Sequence, residues 1–272
     1  MSRAPAPAKV NLALVVGPPR DDGKHEVLTV LQRVDLVDRI DLTTARELRV
    51  DGFEGDTLVT AALGELAQAA DVEPHWRVRI EKKIPVAAGL GGGSSDAATA
   101  LRLANETLPE PLPLEELLQI AGGLGADVPF FLLDGPQLGR GDGSELEPLE
   151  LPQDFWIVLL LPRGVAKSST ADVYAAFDER RGPAGWAERR QSLLDGLAHV
   201  ERPRDLAALL PNDLVSSPHA ETMRAAGAFR ADVSGAGPVV YGLFHQRRDA
   251  EAARRAIRRL GRTWLTAPAW YG

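Results

Sequence analysis

Residues 85–96 have the sequence Pro-Val-Ala-Ala-Gly-Leu-Gly-Gly-Gly-Ser-Ser-Asp, and an amphipathic segment follows them directly. Glycine occupies four of the five positions from 89 to 93. Because glycine has no Cβ, it adopts positive φ at no steric cost and lets backbone N–H groups approach a ligand closely. The N-terminus of a helix adds unpaired N–H groups and a partial positive charge. This stretch therefore predicts a loop that binds phosphate at the start of a helix.

Two common phosphate-binding templates do not fit this loop. A Walker A loop needs a lysine directly before its serine or threonine, whereas Gly93 stands before Ser94. A dinucleotide fingerprint needs the spacing G-x-G-x-x-G, and its third glycine would fall on Ser94 or Asp96 when the pattern starts at Gly89 or Gly91. A plain connector is also a poor explanation, since each glycine costs about 0.5–1 kcal/mol relative to alanine in regular structure.

The bulk composition is typical of a soluble globular protein. The chain has 272 residues, enough for one large domain or two of ordinary size, and 44% of them are hydrophobic. Its formal net charge of −7 disfavours non-specific binding to nucleic acid or to anionic membranes. The absence of cysteine excludes disulfides, thiolate catalysis and cysteine metal sites. Because we find neither a signal-peptide core nor an apolar run of about 18 residues, we expect a cytoplasmic protein with no membrane segment.

Periodic patterns predict the elements around the loop. Residues 8–16 predict a strand, and Trp76, Val78 and Ile80 alternate with charged residues in a second strand that leads into the loop. Ala97 and Leu101 lie on the predicted core face of the helix that follows. The stretch 134–154 is rich in glycine, proline and acidic residues and predicts a domain boundary near residue 150. Further predictions are a turn at 17–25, a strand around Leu48 and Val50, a helix at 57–70 with Asp56 as its N-cap, helices starting at Leu114 and across 171–181, 186–199 and 249–259, a strand at 156–161, and a glycine turn with a strand at 233–244.

Three motifs along the chain resemble those of the GHMP kinases, the superfamily of galactokinase, homoserine kinase and mevalonate kinase. The loop, P-x-x-x-G-L-G-G-G-S-S-D-A-A, resembles the phosphate loop of this superfamily. Residues 6–12 (A-P-A-K-V-N-L) resemble its first motif and residues 234–238 (S-G-A-G-P) its third. The resemblance implies an α+β fold of two GHMP kinase domains, 1–150 and 151–272, with the active site in the interdomain cleft. It also implies ATP and Mg²⁺ as cofactors.

The resemblance further implies which loop residues contact ATP. Ser94 and Ser95 add hydroxyl groups to the backbone donors, and Ser95 is the candidate ligand for Mg²⁺. An ordinary helix N-cap is the alternative role for one of these serines. The residues implied in ATP binding are Pro85, Val86, Ala87, Ala88, Gly89, Leu90, Gly91, Gly92, Gly93, Ser94 and Ser95.

Two further motifs, D-G-x-H (22–25) and L-G-A-D-V-P-F-F (124–131), resemble one branch of the superfamily. That branch phosphorylates a hydroxyl of 4-diphosphocytidyl-2-C-methyl-D-erythritol, giving the 2-phosphate, in the non-mevalonate route to isoprenoid precursors. The resemblance implies that Asp127 acts as the general base or orients the hydroxyl, and that Lys9 supports the ionised carboxylate and the developing alkoxide. His25 and Tyr174 are the implied substrate-binding residues. Asn11, on the same strand face as Lys9, is a candidate to hydrogen-bond a substrate hydroxyl or a catalytic side chain.

Each of these roles has a simpler alternative. Asp127 could be an Asx-turn residue before Val128-Pro129, and Lys9 could be an edge lysine that reaches solvent. Tyr174 could serve only helix packing instead of stacking on cytosine. Lys24 departs from the family pattern, which usually has tyrosine there. Loss of that ring removes stacking worth about 1–3 kcal/mol, although Lys24 could contact the diphosphate or cover the base with its aliphatic stem.

Two other functions remain open at this point. One is a GHMP kinase of the homoserine or mevalonate type, and the other is a non-catalytic binding protein with the same fold. The D-G-x-H and G-A-D-V-P motifs disfavour the first. The combination of Lys9, Asp127 and both serines disfavours the second, since a protein that only binds has no need of all of them.

Overall fold

The structure, a computed structural model, describes residues 1–54, 57–165 and 169–269. It contains helices and mostly antiparallel strands, which confirms the α+β class. The chain forms two compact units, each built from segments that are separate in sequence. Among the described residues, no helix is long and apolar enough to cross a membrane. The first unit consists of Met1–Ala8, Leu36–Val86 and Gly91–Asp134, and the second of Lys9–Asp35, Ala87–Leu90 and Gly135–Gly272.

Two long paired strands, β1 and β2, contribute residues to both units. Strand β1 (Ser2–Pro19) is longer than the predicted strand at 8–16, so the predicted turn at 17–25 is wrong in its first residues. Strand β2 (His25–Thr44) was not predicted. From residue 6 to residue 16, β1 is buried on both faces. The ends that the prediction left out contain Pro5, Pro7, Gly17, Pro18 and Pro19, residue types that usually signal turns, which explains why the length of the strand was underestimated.

The first unit packs three helices on one face of its strands. Strand β4 (Trp76–Glu81) pairs antiparallel with β2 and parallel with β3 (Arg49–Asp51). The predicted alternation of β4 is confirmed, because its apolar side chains are buried and its charged ones exposed. The helices are α1 (Leu58–Ala69), α2 (Gly92–Asn105) and α3 (Leu114–Leu124), followed by a 3-10 helix (Pro129–Leu132).

The core of this unit is formed by the inner face of the sheet and by α1 and α2. Ile40 and Val78 of the strands share one cluster with Leu63 of α1 and Leu101 of α2. The predicted core face of α2 is confirmed, since Ala97 and Leu101 are fully buried. Thr57 is the N-cap residue of α1, and the predicted cap Asp56 lies outside the described residues. This packing fixes the start of α2, where the glycine loop ends.

The second unit is built around a four-stranded antiparallel sheet of order β10-β7-β9-β8. Within the stretch 134–154, whose composition predicts a domain boundary, β5 (Gln137–Arg140) and β6 (Glu145–Pro148) form a hairpin whose first strand pairs with β2. The other strands are β7 (Trp156–Pro162), β8 (Arg230–Val233), β9 (Val240–Phe244) and β10 (Gly261–Thr266). The helices are α4 (Thr170–Arg180), α5 (Trp186–Leu197), α6 (Pro218–Ala225) and α7 (Arg247–Ile257), with a 3-10 helix at Pro203–Ala208.

Candidate active site

The glycine loop presents a continuous run of unpaired backbone donors. Ala87, Gly89 and Gly91 have φ angles of 50°, 79° and 66°, so the chain turns repeatedly before α2 begins at Gly92. Within the described part of the chain, none of the N–H groups of residues 86–94 donates a hydrogen bond. Ala88 and Leu90 are buried, while the other residues of this run are half-buried or exposed, so most of these donors lie where a ligand can reach them. A run of nine unpaired donors therefore suits an anionic ligand with several acceptor oxygens.

Gly89 lies against the segment 234–238, the predicted third motif. A Cβ on Gly89 would stand 2.1 Å from the carbonyl oxygen of Ser234, a distance that no side chain tolerates. Ser234 Oγ donates to the carbonyl oxygen of Gly89 at 2.8 Å. Val239 N donates to the carbonyl oxygen of Ala88 at 3.2 Å. Glycine at position 89 is therefore required by close packing as well as by its positive φ.

Neither serine of the loop is the helix cap, so that alternative is wrong. The N-cap residue of α2 is Gly91, in the left-handed conformation, and both serines lie inside the first turns of the helix. Ser95 is fully buried, and its Oγ atom has no hydrogen-bond partner among the described residues. A hydroxyl oxygen without a partner is available to a metal ion, which is the role that the resemblance implies for Ser95.

A buried cluster of three charged residues, the Asp38–Lys82–Asp96 cluster, ties the two ends of the loop together. Lys82 Nζ donates to Oδ2 of Asp38 and, at 2.7 Å, to Oδ2 of Asp96. Asp38 Oδ1 accepts from the N–H of Lys83 and, at 2.8 Å, from that of Ile84. Asp38 thus holds the chain where it enters the loop, and Asp96 holds the helix that leaves it.

Burial dominates the electrostatics of this cluster. It raises the pKa of Asp96 to about 8, with the Lys82 ammonium opposing the rise and the Asp38 carboxylate adding to it. Burial alone would lower the pKa of Lys82, but the two carboxylates raise it above its usual value. Lys82 therefore stays charged and neutralises part of the buried negative charge. The sequence analysis did not identify any member of this cluster as a functional residue.

Lys9 and Asn11 lie side by side on β1. Lys9 is only 3% exposed, which rules out an edge lysine that reaches solvent. Its Nζ atom donates to Oδ1 of Asn11 at 2.7 Å, and Nδ2 of Asn11 donates to Oγ1 of Thr29 at 2.8 Å. Backbone N–H of Lys9 donates to the carbonyl oxygen of Leu90, at 2.9 Å, so this strand also contacts the glycine loop. Burying an ammonium is costly unless polar partners replace the water that it loses, and Asn11 is one such partner.

Asp127 lies in the turn between α3 and the 3-10 helix, and its residue is half-buried. The turn is closed by a backbone bond of 3.0 Å from the N–H of Val128 to the carbonyl oxygen of Gly125. An Asx-turn would require a donor two residues on, and that residue is Pro129, which has no N–H. The Asx-turn alternative therefore fails, while the role of the carboxylate stays a prediction.

The structure places His25 and Tyr174 together. Their ring centroids are 4.9 Å apart, and the centroid of the Phe177 ring lies 6.3 Å from that of His25, with these two rings nearly perpendicular. Asp178, on the same face of α4, has Oδ1 3.0 Å from Nε2 of His25. Tyr174 therefore packs within the protein, as in the simpler alternative, and its contact is the ring of His25.

Lys24 forms an ion pair with Asp142 in the turn between β5 and β6. Burial raises the pKa of Asp142, but hydrogen bonds from Lys24 and Ser144 more than compensate and hold it below its usual range. The contacts considered for Lys24 from the sequence were with a diphosphate or with a base. The ion pair with Asp142 was not predicted. The ion pair links two turns of the second unit.

Asn212 is a further residue that the sequence analysis missed. It follows Pro211 in the segment Pro-Asn-Asp-Leu (211–214), is 8% exposed, and donates to the carbonyl oxygens of Val233 and Gly235. The only sequence signal was a Pro-Asn pair in a polar break between helices, which is typical of any turn.

Comparison with known proteins gives matches to both halves of the chain. The profiles described as GHMP kinases N terminal domain and GHMP kinases C terminal match residues 57–135 and 220–263. The 4-diphosphocytidyl-2-C-methyl-D-erythritol kinase of Geobacter sp. (strain M21) is 40% identical over 96% of both chains. The matched segments lie on either side of residue 150, and the boundary itself stays a prediction.

Two solved structures give the same picture at the level of fold. The crystal structure of a 4-(cytidine 5'-diphospho)-2C-methyl-D-erythritol kinase superposes with a TM-score of 0.80 at 33% identity, covering 98% of this chain and 100% of that one. Homoserine kinase from Cytophaga hutchinsonii superposes with a TM-score of 0.73 at 16% identity, covering 97% and 94%. The second likeness concerns the fold alone.

Proposed function

This chain is a member of the GHMP kinase family, and we propose that it transfers the γ-phosphoryl group of ATP to a hydroxyl of 4-diphosphocytidyl-2-C-methyl-D-erythritol, giving the 2-phosphate. GHMP kinases use ATP as the phosphate donor. The observation that carries the proposal is the run of unpaired N–H groups at residues 86–94, on a chain 40% identical to a kinase with this substrate in its name.

The loop holds the phosphates and makes little use of side-chain charge. Phosphoryl transfer needs its phosphates positioned and its developing charge stabilised, with little covalent help from the protein. Backbone donors of residues 86–94 supply the first requirement, and the N-terminus of α2 adds a partial positive charge. A protein of net charge −7 thereby binds a polyanion at one local site.

Lys9 and Asp127 act on the substrate hydroxyl. Asp127 orients the hydroxyl and accepts its proton, which leaves late in a loose transition state. Lys9 acts on the attacking oxygen, where its ammonium stabilises the alkoxide that develops. The burial of Lys9 supports this role, since low exposure strengthens its electrostatic effect.

The site also fits Mg²⁺, which usually binds one or two protein oxygens together with substrate phosphates. Ser95 would hold it, and the orphaned Oγ atom of Ser95 supports the assignment. When bound, the ion neutralises charge on the phosphate oxygens.

His25, Tyr174 and Asn11 bind the other substrate. The backbone of His25 reads the edge of the cytosine, and Tyr174 offers an aromatic face for stacking. Asn11 hydrogen-bonds a substrate hydroxyl while it holds Lys9. The contact between His25 and Tyr174 supports placing both at the base.

A substrate panel tests the proposal. Purified protein is given ATP and Mg²⁺ with 4-diphosphocytidyl-2-C-methyl-D-erythritol, homoserine or mevalonate, and ADP release and phosphorylated product are measured. We expect product with the first compound only. Product with homoserine or mevalonate would replace the proposed substrate, and ATP binding without turnover of any of them would leave a binding protein.

A further inference from the structure

We propose that Asn212 is a positioning residue for phosphoryl transfer, because its carboxamide holds segment 234–238 against both the glycine loop and the Lys9–Asn11 pair. The inference rests on the proposed function and adds a residue outside all of the motifs that predicted it. Asn212 contacts none of the groups proposed to react. It acts through the backbone of residues 233–235.

The side chain of Asn212 is fully engaged with backbone groups. Nδ2 donates to the carbonyl oxygens of Val233 at 3.0 Å and Gly235 at 2.7 Å, and Oδ1 accepts from the N–H of Leu214 at 2.8 Å. Only a carboxamide can donate to two carbonyl oxygens and accept from an N–H group at the same time. A carboxylate at this position would place one of its own oxygens against the two carbonyl oxygens. The N–H of Asn212 in turn donates to Asp232 Oδ2 at 2.8 Å.

The segment held by Asn212 carries two groups that contact the proposed site. Ser234 Oγ donates to the carbonyl oxygen of Gly89 at 2.8 Å and accepts from the N–H of Asn11 at 3.3 Å. Gly235 has a φ of 55°, and a Cβ built on it would lie 3.3 Å from Asn11 Oδ1 and 3.5 Å from Lys9 Nζ. The backbone at 235 is therefore packed directly against the proposed catalytic lysine.

Loss of the carboxamide would release both contacts at once. The carbonyl oxygens of Val233 and Gly235 would lose their donor, and a buried polar group without a partner is costly enough to drive a local rearrangement. A shift of the segment moves Ser234 away from Gly89 and changes the packing beside Lys9. Because misplacement by about 1 Å can cost roughly 100-fold in rate, we expect a defect in turnover beyond any loss of stability.

The chain offers a matched control for this experiment. Asn105 is also a buried asparagine, at 7% exposure, with Nδ2 donating to the carbonyl oxygen of Leu112 and Oδ1 accepting from its N–H. N212A and N105A each remove a carboxamide that bridges backbone groups. Both should lower Tm by a few degrees. Turnover is compared at saturating substrates, at a temperature where both variants are folded.

We expect N212A to lower kcat by about 10- to 100-fold, and N105A to stay within about twofold of the wild type. Hydrogen exchange supplies a readout independent of activity. The amides of Ser234, Gly237 and Val239 donate to backbone oxygens of this region and should exchange about tenfold faster in N212A only. N212S, whose hydroxyl can donate to one carbonyl, should give intermediate values and replaces N212A if that variant fails to fold.

Three results would overturn the inference: a kcat for N212A equal to that of N105A, unchanged exchange at 234–239, or faster exchange without a loss of turnover. Failure of the proposed function gives a different result, since the wild-type protein would then leave the cytidylyl substrate unphosphorylated. In that event the exchange comparison between N212A and N105A still decides whether Asn212 fixes the segment.

Discussion

Lys9 illustrates how a single residue differs from its surroundings. Its neighbours on β1, Ala8 and Val10, are apolar and fully buried, whereas the Lys9 ammonium is held by the amide oxygen of Asn11. Burying a charge costs several kcal/mol unless hydrogen bonds or opposite charges offset the loss of water. The partners that hold the Lys9 ammonium, Asn11 among them, therefore offset part of this cost.

Substitution of either proposed catalytic residue should reduce turnover and spare nucleotide binding. We expect K9M and D127N each to lower kcat by about 100- to 10,000-fold, the range typical of positioned acid–base groups. The Kd for ATP should stay within about threefold, because the loop donors are untouched. K83M, which alters a half-exposed lysine, is the control. Near-normal turnover in D127N would remove Asp127 from the mechanism.

Lys24 should be replaceable by the aromatic residue that its family usually carries. Its ammonium is engaged with Asp142, so the position contributes no stacking. We expect K24Y to lower KM for the cytidylyl substrate by about tenfold, since stacking on a base is worth about 1–3 kcal/mol. K24A should leave KM within about threefold. A large rise of KM in K24A would instead mean that Lys24 contacts the substrate.

At the scale of elements, the Asp38–Lys82–Asp96 cluster joins β2, the end of β4 and α2. Asp38 and Asp96 are fully buried, while Lys82 is the cation that lies between them. A Cβ on Gly92 would lie 3.3 Å from Lys82 Nζ, so the cluster sits directly beside the first residue of α2. The entry and the exit of the phosphate loop are thus fixed by one buried ion cluster.

Removing the cation from this cluster should strongly destabilise the fold. K82M removes the cation that both buried acidic side chains contact, and the loss of one partner in a buried pair costs about 3–5 kcal/mol. K83M, next in sequence but half-exposed, should change the free energy of unfolding by less than about 0.5 kcal/mol. Urea denaturation of both variants measures the difference. Equal stability of the two would show that the cluster contributes nothing.

Sequence patterns predicted elements with one buried face and apolar buried strands such as β7, but they missed β2, which carries polar side chains in its buried part. Strand β4 alternates strictly because solvent covers its charged face, and the core face of α2 follows the helical period. Strand β2 was missed because its first ten residues are almost entirely buried and carry Thr29, Gln32 and Arg33 inside. Thr29 donates to the carbonyl oxygen of Ala13, and Gln32 accepts from Gln153. No local pattern records contacts between residues so distant in sequence.

The site was predictable where residues are contiguous in sequence. The glycine loop is one uninterrupted motif, so its residues could all be identified together. Asn212 and Asp38 act on backbone groups 21 to 46 residues away in sequence. Such contacts depend on the folded topology, and short-range spacing carries no signal of them. The same limit applied to Lys82, for which no role was predicted from the sequence.

At the scale of the whole molecule, each compact unit combines segments that are far apart in the sequence. Leu14, Val16 and Val27 belong to one core cluster with Val173 and Phe177 of α4. The hydroxyl of Tyr241 donates to the carbonyl oxygen of Leu12 at 3.1 Å. The second unit is therefore incomplete without residues 9–35.

A fragment of residues 151–272 should not fold alone. It lacks the parts of β1 and β2 that cover its apolar side chains, and a domain with an open core loses most of its stability. We expect no cooperative thermal transition for the fragment, and recovery of one when residues 1–150 are co-expressed. A cooperative transition of the isolated fragment would instead establish residue 150 as a boundary between autonomous domains.

The natural lack of cysteine has a practical consequence at the phosphate loop. Val86 is 61% exposed and lies at the start of the run of unpaired donors. A single cysteine placed there would be the only thiol in the chain and could carry a fluorophore or spin label without further engineering. The signal of such a label would follow nucleotide entry in real time, on a protein that needs no background thiols removed.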